Sequence, residues 1–458
     1  MHTHRRASEL LLLGFATLIT TLALMIVAAN QQQRLGTDAW VFAAAYLALF
    51  ACAHVVIRRF ASSADPVLLP VVALLNGLGL VMIYRLDLGD AGLSSAGARG
   101  PSAYQQMLWT LAGVAAFCLV VVFVRDHRPL ARYGYVCGAA GLILLAIPAV
   151  LPRSLSEQNG AKIWIRLPGF SIEPAEMAKI LLLVFVAAVL VAKREMFTTA
   201  GTHFLGMNLP RPRDLAPLLA ALAISVAVMV FETDLGAALL VFASFLAMVY
   251  IATARLGWVG IGLLLFAAAS VVAYHLFGHV RVRVRNWIDP FADPDGAGYQ
   301  MVQSMFSFAT GGVFGTGLGN GQPGTVPVAS SDFIMAAFGE ELGLVGLAAL
   351  LMLYTILIMR GLRTAIVVRD SFGKLLSAGL ACTLAIQVFL VVGGVTKLIP
   401  QTGLTTPWMS YGGSSLLANY VLLALLVRIS DAARRPVGRP PPGQTPIADA
   451  GTQIIERR

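Results

Sequence analysis

The stretch SDFIMAAFGEELGLVGLAALLMLYTILIM, Ser331–Met359, decides the fold class. From Phe333 onward it is apolar for longer than the roughly 20 residues that a helix needs to cross a bilayer. Only Glu340 and Glu341 interrupt it, and Asp332 stands immediately before it. Runs of the same kind lie near 9–29, 39–57, 67–84, 107–125, 134–152, 174–193, 214–231, 234–253, 257–277, 375–397 and 411–429. With 333–359 they make about twelve spans, so the expected fold is an all-α, polytopic transmembrane helical bundle. The composition agrees. The chain is 58% hydrophobic and 12% charged, whereas soluble domains are roughly 25% charged. No water-soluble core hides that much apolar surface at this length.

A formal charge of +10 would point to nucleic acid in a soluble protein. Here the positive charge is spread over short loops, so no nucleic-acid partner is expected. Lys and Arg gather on cytoplasmic loops. With both termini cytoplasmic, the inner side holds 22 of the 33 Lys and Arg residues. The outer side then holds 10: Arg34, Arg85, Arg99, Arg153, Lys162, Arg166, Arg281, Arg283, Arg285 and Lys397. Lys179 falls within a span. The expected location is the plasma membrane, multi-pass. The first run follows Arg5 and Arg6, as in a signal peptide, but it is too long for a typical h-region and reads as a retained span. Cys52, Cys118, Cys137 and Cys382 lie in apolar runs at no metal-ligand spacing and read as small buried apolar residues.

In this orientation the irregular segments 153–173, 278–332 and 398–410 face outward, 278–332 being a large extracellular loop before the tenth span. Residues 434–458 are polar and Pro-rich and read as a disordered cytoplasmic tail. Ionisable groups in spans are costly and usually face an interior or an aqueous cavity. Glu176 and Lys179, three apart in PAEMAK, share a helix face and form either a structural ion pair or part of a substrate cavity. Asp234 suits the positive end of the helix it opens. Asp332 closes a 55-residue loop, a length that is usually functional or disordered, with helix capping as the bland alternative. Glu340 and Glu341 lie about two turns deeper and read as holding that helix against its neighbours. Arg281, Arg283 and Arg285 alternate with Val and would share one face of an extended segment, suited to a diphosphate, a lipid headgroup or a partner protein. The glycines of GGVFGTGLGNG (311–321) neither follow a strand nor open a helix in a βαβ unit, which excludes a nucleotide loop. SYGGSS (410–415) reads as a place of close backbone approach.

Taken together and in order, these segments resemble the SEDS family, which includes RodA, FtsW and SpoVE. NGAKIWIRLPGFSIEPAEMAK (159–179) is similar to the family stretch ending QPSE…K. ETDLGAA (232–238) is similar to QPDLGT, and DPFADPDGAGYQMVQS (289–304) to the opening of the large external loop. GGVFGTGLG (311–319), SDFIMAAFGEELG (331–343) and GLTTPWMSYGGSS (403–415) complete the set. The resemblance is strong from Asn159 to Asp431, and over nearly the whole chain it leans to the RodA-type proteins of actinobacteria, which have two spans beyond the usual ten. It implies a two-span extension at 1–65 and a catalytic transmembrane core at 66–433. There are departures. Glu173 and Glu232 stand where the family has Gln, Thr233 where it has Pro, and Pro327–Val328 where many members have Pro-Glu.

The resemblance implies polymerisation of lipid II into peptidoglycan glycan strands during cell elongation, beside a class B penicillin-binding protein that cross-links them. Asp332 takes the catalytic position. Glu176 and Lys179 lie in the central cavity, with Lys162, Arg281, Arg283, Arg285, Ser410 and Ser414 as further substrate contacts. Asp234, Glu340, Glu341, Gly412 and Gly413 are motif residues with structural roles. The implied step is an inverting transfer, with Asp332 as general base for the acceptor hydroxyl. No dedicated cofactor is expected. A divalent cation, magnesium or manganese, would be shared with the diphosphate. The rival readings are a lipid II flippase or transporter, a scaffold that recruits a synthase, and a division-specific polymerase of the FtsW type.

Overall fold

The computed structural model describes residues 2–31, 37–91, 102–157, 160–167, 170–193, 202–204, 207–209 and 212–435. The tail expected to be disordered lies outside the described residues from 436 onward. So do Arg34, Arg99, Arg194 and Arg211 of the charge tally and Asn159 of the first motif.

The helices in chain order are α1 (His2–Asn30), α2 (Thr37–Phe60), α3 (Leu68–Ala91), α4 (Ser102–Phe123), α5 (Gly134–Val150), the short α6 (Arg153–Ser156) and α7 (Pro174–Ala192). Then follow α8 (Pro212–Phe231), α9 (Leu235–Thr253), α10 (Leu256–Leu276), α11 (Gly278–Ile288), α12 (Tyr299–Gly311), α13 (Ile334–Val367), α14 (Ser371–Val395) and α15 (Gly413–Arg434). Two antiparallel hairpins sit between helices: β1 (Ile165–Leu167) with β2 (Phe170–Ile172), and β3 (Thr202–Phe204) with β4 (Met207–Leu209). In the first, Arg166 faces Ser171.

Eleven helices of the described residues are long and apolar enough to cross a membrane. The twelfth expected span falls on α8, whose apolar part is shorter, Ala216–Phe231. The chain path still requires α8 to cross. The backbone of Glu232, just past its C-terminus, accepts a hydrogen bond from Lys162 N–H, in the segment that leads into α7 at the same end. The chain is a polytopic helical membrane protein.

α3, α7, α14 and α15 form the interior of the bundle, flanked by α4, α5, α9 and α13. α10 touches mainly α9 and is almost wholly exposed. The cysteines are free, with Cys52 exposed and the other three half-buried. Cys118 and Cys137 pack against the edge of the hydrophobic core, and none is fully buried as the sequence suggests. Cys52 alone is set on the outside of the bundle, where lipid takes the place of a core.

Both termini of the described chain lie at one end of the bundle. Arg6 donates to the carbonyls of Ala61, Ser62 and Ala64, and Arg434 pairs with Asp65. The described parts of 153–173 gather at the other end with 278–332 and 398–412. The large loop is itself largely helical, through α11 and α12. That overturns the extended reading of Arg281, Arg283 and Arg285. A lone extended strand leaves its backbone groups unpaired, while a helix satisfies them internally. Two residues apart on a helix is about 200° of rotation, so Arg283 faces opposite to Arg281 and Arg285.

α13 is two helices joined across a break at Gly343 (φ 66°, ψ −168°). A side chain there would strike the backbone of residues 313–315. The break frees backbone groups, and the glycine-rich segment after α12 takes them up. Leu344 N–H donates to Gly312 O at 3.0 Å and Val345 N–H to Val313 O at 3.1 Å, while Thr316 N–H donates to Glu340 O at 3.0 Å. Buried irregular backbone is tolerated at membrane depth only with such partners.

Candidate active site

Asp332 lies two residues before the first residue of α13. It does not cap that helix, since Phe333 occupies the cap position and no side chain accepts there. Its Oδ1 instead accepts from Ser331 Oγ at 3.0 Å. The backbone around it is pinned from the 403–412 segment: Ser410 Oγ donates to Ser331 O at 2.6 Å, and Tyr411 N–H to Ser330 O at 2.8 Å. Val328 upstream holds a left-handed φ of 58°, an outlier for a β-branched residue. Strain of this kind persists only where the surroundings enforce it.

Arg283 is the one arginine of its trio that turns toward Asp332. A Cβ built on Gly403 would lie 3.8 Å from both Arg283 Nη2 and Asp332 Oδ2, so the two side chains converge on one spot. Arg283 Nη1 also donates to Gln401 O at 3.2 Å and Thr402 O at 3.1 Å. Arg281 and Arg285 are exposed and stand outside this cluster. Asp234 caps α9, accepting from Ala237 N–H at 3.0 Å, and its charge reaches Asp332 and Arg283.

Deeper in the bundle, Lys179 Nζ donates to Glu176 Oε2 at 2.8 Å and to Gln387 Oε1 at 3.0 Å. Gln387 Nε2 in turn donates to Thr405 O at 3.0 Å. The ion pair therefore ties α7 to α14 and to the loop below Asp332. Ser414 Oγ accepts from Glu173 N–H at 2.8 Å. Lys162 Nζ donates to Ala149 O at 2.6 Å, away from Asp332. Gly413 is a close approach, because a Cβ there would enter the Trp109 ring. Gly412 N–H donates to Gln106 Oε1 at 3.3 Å. Glu341 binds Arg85 at 3.0 Å, and Glu340 accepts from Gln322 N–H at 2.5 Å. These two contacts join α13 to α3 and to the segment before it.

Three carboxylates outside the spans thus share a neighbourhood in which burial raises the pKa of each. Asp332 is pushed up to about 6, chiefly by burial, against the pull of the Ser331 hydroxyl and Arg283. Asp234 is raised by burial. Glu173 is raised by burial and then by the charges of Glu176, Asp234 and Asp332. At the rim, burial and Asp234 raise Glu232 to about 8. A carboxylate poised near 6 is ionised at neutral pH yet still basic enough to take a proton, the tuning a general base needs.

The family model described as cell cycle protein, which covers FtsW, RodA and SpoVE, matches residues 65–435. The chain belongs to this family. It is 71% identical over 453 residues to the peptidoglycan glycosyltransferase RodA of Mycobacterium tuberculosis, covering 99% of this chain and 96% of that one. The corresponding protein of Mycobacterium leprae is 67% identical over the same span. A probable peptidoglycan glycosyltransferase FtsW of Geobacter metallireducens is 32% identical over 80% of this chain and 94% of its own. Among solved structures, a chain of a peptidoglycan synthase complex that coordinates polymerization and crosslinking matches with TM-score 0.59 and 29% identity. It covers 77% of this chain and 96% of that one. The rod shape determining protein RodA of Thermus thermophilus matches with TM-score 0.58 and 25% identity, covering 82% and 99%.

In this FtsW/RodA/SpoVE chain, two side chains of the site went unnoticed in the sequence. Gln106 and Gln387 are buried amides in apolar helices, and their polarity in a span was the available signal. The carbonyls of Gln401 and Thr402 gave none, because every residue has one.

Proposed function

We propose that the chain is a peptidoglycan glycosyltransferase that polymerises lipid II into glycan strands during cell elongation. The observation that carries this reading is Asp332: a tuned carboxylate beside a guanidinium, at the end of the bundle opposite both described termini. The charge bias makes that end extracytoplasmic. Asp332 accepts the proton of the acceptor sugar hydroxyl as that oxygen attacks the anomeric carbon of the donor. The bond to the polyprenyl diphosphate breaks, the electron pair leaves with the diphosphate, and the configuration inverts. Arg283 is the cation nearest the forming charge and stabilises the departing diphosphate.

Among the described residues no three or more His, Cys, Asp or Glu side chains group as metal ligands. A magnesium or manganese ion would be shared with the diphosphate, whose oxygens would supply most of its ligands. A class B penicillin-binding protein is the proposed partner, in keeping with the complex from which one structural relative comes.

The test is polymerisation from lipid II by the folded Asp332→Asn variant beside wild type, with the partner present. Loss of polymer with normal folding is the expected result. Polymer made at the wild-type rate overturns the base assignment. Lipid movement without polymer by wild type replaces the enzyme reading with a transporter.

A further inference from the structure

α1 lies ahead of the residues matched by the family model, 65–435, yet it reaches the active-site end of the bundle. Its last turns pack Ala23, Leu24 and Val27 with Val81 of α3 in an apolar cluster separate from the main core. Leu318, from the glycine-rich segment after α12, closes that cluster. Asn30 Nδ2 donates to Leu318 O at 2.6 Å and Gln31 Nε2 to Gly319 O at 2.6 Å. Gly319 has φ +84°, and a Cβ there would lie 3.0 Å from Asn30 Cβ and 3.3 Å from Val27 Cα. Only glycine fits that conformation and that gap.

The other side of the same segment is bound to α13. Gly317 N–H donates to Glu341 O at 2.9 Å and Thr316 N–H to Glu340 O at 3.0 Å. Gly319 N–H donates to Glu341 Oε2 at 3.0 Å. Arg85 joins both, with Nε on Glu341 Oε1 at 3.0 Å and Nη2 on Gly321 O at 2.6 Å. The segment is thus a wedge between α1 and the first part of α13, which begins at Ile334, two residues past Asp332.

We infer that α1 is a bracket for the active site: through Asn30 and Gln31 it fixes the glycine-rich wedge, and the wedge fixes the part of α13 that aims Asp332. The glycine-rich segment, unsuited to phosphate, thereby acquires a mechanical role. The break at Gly343 makes the bracket necessary. The part of α13 before the break is not held by continuous helix to the part behind it, so its direction depends on what is wedged beside it. Asn30 and Gln31 are positioning residues, since neither touches Asp332. The consequence for the reaction rests on the proposed glycosyltransferase reading.

The test is the full-length double variant Asn30→Ala/Gln31→Ala, with the apolar cluster intact. Two measurements are made beside wild type: lipid II polymerisation resolved into kcat and KM, and backbone hydrogen exchange. The expected result is a fall in kcat of roughly tenfold, with KM for lipid II within about twofold, because misaiming a base costs transition-state rather than ground-state binding. Exchange rises in 315–322 and in 333–341 and stays the same at the far end, in 61–65 and 428–435. Unchanged exchange in 333–341 overturns the bracket. So does raised exchange there with unchanged kcat. If wild type makes no polymer, the glycosyltransferase reading fails on that control, and exchange in 333–341 alone then decides whether α1 braces α13.

Discussion

The two ends of this bundle carry the same kinds of residue and treat them in opposite ways. At the end where the described termini lie, the described acids have bases. Glu9 is met by Arg6 and His54, Asp65 by Arg434 and Arg360, Asp431 by Arg435 and Arg428, and Asp370 by His127 at 2.9 Å. The His127 bond and the Gly373 N–H drive Asp370 down to about 2. At the other end Glu173, Glu176, Asp234 and Asp332 share Lys179 and Arg283, and burial pushes Glu173, Asp234 and Asp332 upward. Among the described residues, four of the five non-glycine residues with positive φ (Thr233, Val328, Lys397 and Trp408) are also at this end. Satisfied pairs fasten helices together. Under-neutralised acids store a capacity to react, at a cost in stability that the rest of the bundle offsets.

The largest expected contrast comes from neutralising one acid at each end. Asp332→Asn should lower polymerisation by roughly 10²–10⁴-fold, the usual worth of a positioned base, and leave the thermal midpoint unchanged or higher. Asp431→Asn leaves buried Arg428 without its acid. Breaking a buried pair costs about 3–5 kcal/mol, so its thermal midpoint should drop while kcat per folded molecule stays near wild type. Stability lost at Asp332, or activity lost at Asp431 in folded protein, would erase the distinction between the ends.

The second contrast is in pH. Asp332 must be ionised to act, so kcat/KM should rise through about pH 6. The signs for stability are opposite. The folded pKa of Asp332 is above its unfolded value, so the folded state binds more protons between about 4 and 6, and stability falls as pH rises through that window. Asp370 is depressed, so its contribution is present above the unfolded value near 4 and is lost as pH falls toward 2. A pH–rate profile and thermal melts of Asp332→Asn and Asp370→Asn separate the two. An acid limb that persists in a residually active Asp332→Asn would assign it to another group.

Smaller again is the effect of the arginines on α11. Arg283→Lys keeps the charge but loses the planar guanidinium that holds the Gln401 and Thr402 carbonyls through Nη1 while Nη2 faces Asp332, and a roughly tenfold loss of kcat/KM is expected. Arg281→Ala and Arg285→Ala should each change it by less than about twofold, as usual for exposed charges. Steady-state rates at one salt concentration decide this, and equal losses in all three would restore the shared-face picture.

That picture also marks what the sequence can tell. An ionisable residue inside or beside an apolar run is expensive, so Asp332, Asp234 and the Glu176–Lys179 pair stand out without a structure. The alternating Val and Arg of 280–285 carry a period of two, yet the segment is a helix, because a free strand in that place has no edge to pair with. The wedge at 312–321 was readable only as a glycine-rich stretch. Its meaning lies in the break at Gly343, more than twenty residues on, and in an asparagine almost three hundred residues earlier.

The smallest expected effect concerns the two positions where Glu replaces the Gln of the resembling motifs. Both departures look like added negative charge in a site already short of cations. Burial changes their meaning: Glu232 is raised to about 8 and Glu173 well above its ordinary value. At neutral pH Glu232 is largely protonated, and burial pushes Glu173 in the same direction, further when Asp332 ionises. A protonated carboxyl, with one oxygen accepting and one donating, presents nearly what a glutamine side chain presents. Glu173→Gln and Glu232→Gln should therefore alter kcat/KM at pH 7 by less than about threefold and leave the limb near pH 6 in place. Their mark should appear on the alkaline side. There wild type gains charge beside Asp234 as the acids ionise, and the glutamine variants do not, so any alkaline decline should flatten. A strong loss at pH 7 would mean that these acids are ionised in the working enzyme, and that the end of the bundle holding Asp332 is better neutralised than its carboxylates and two cations suggest.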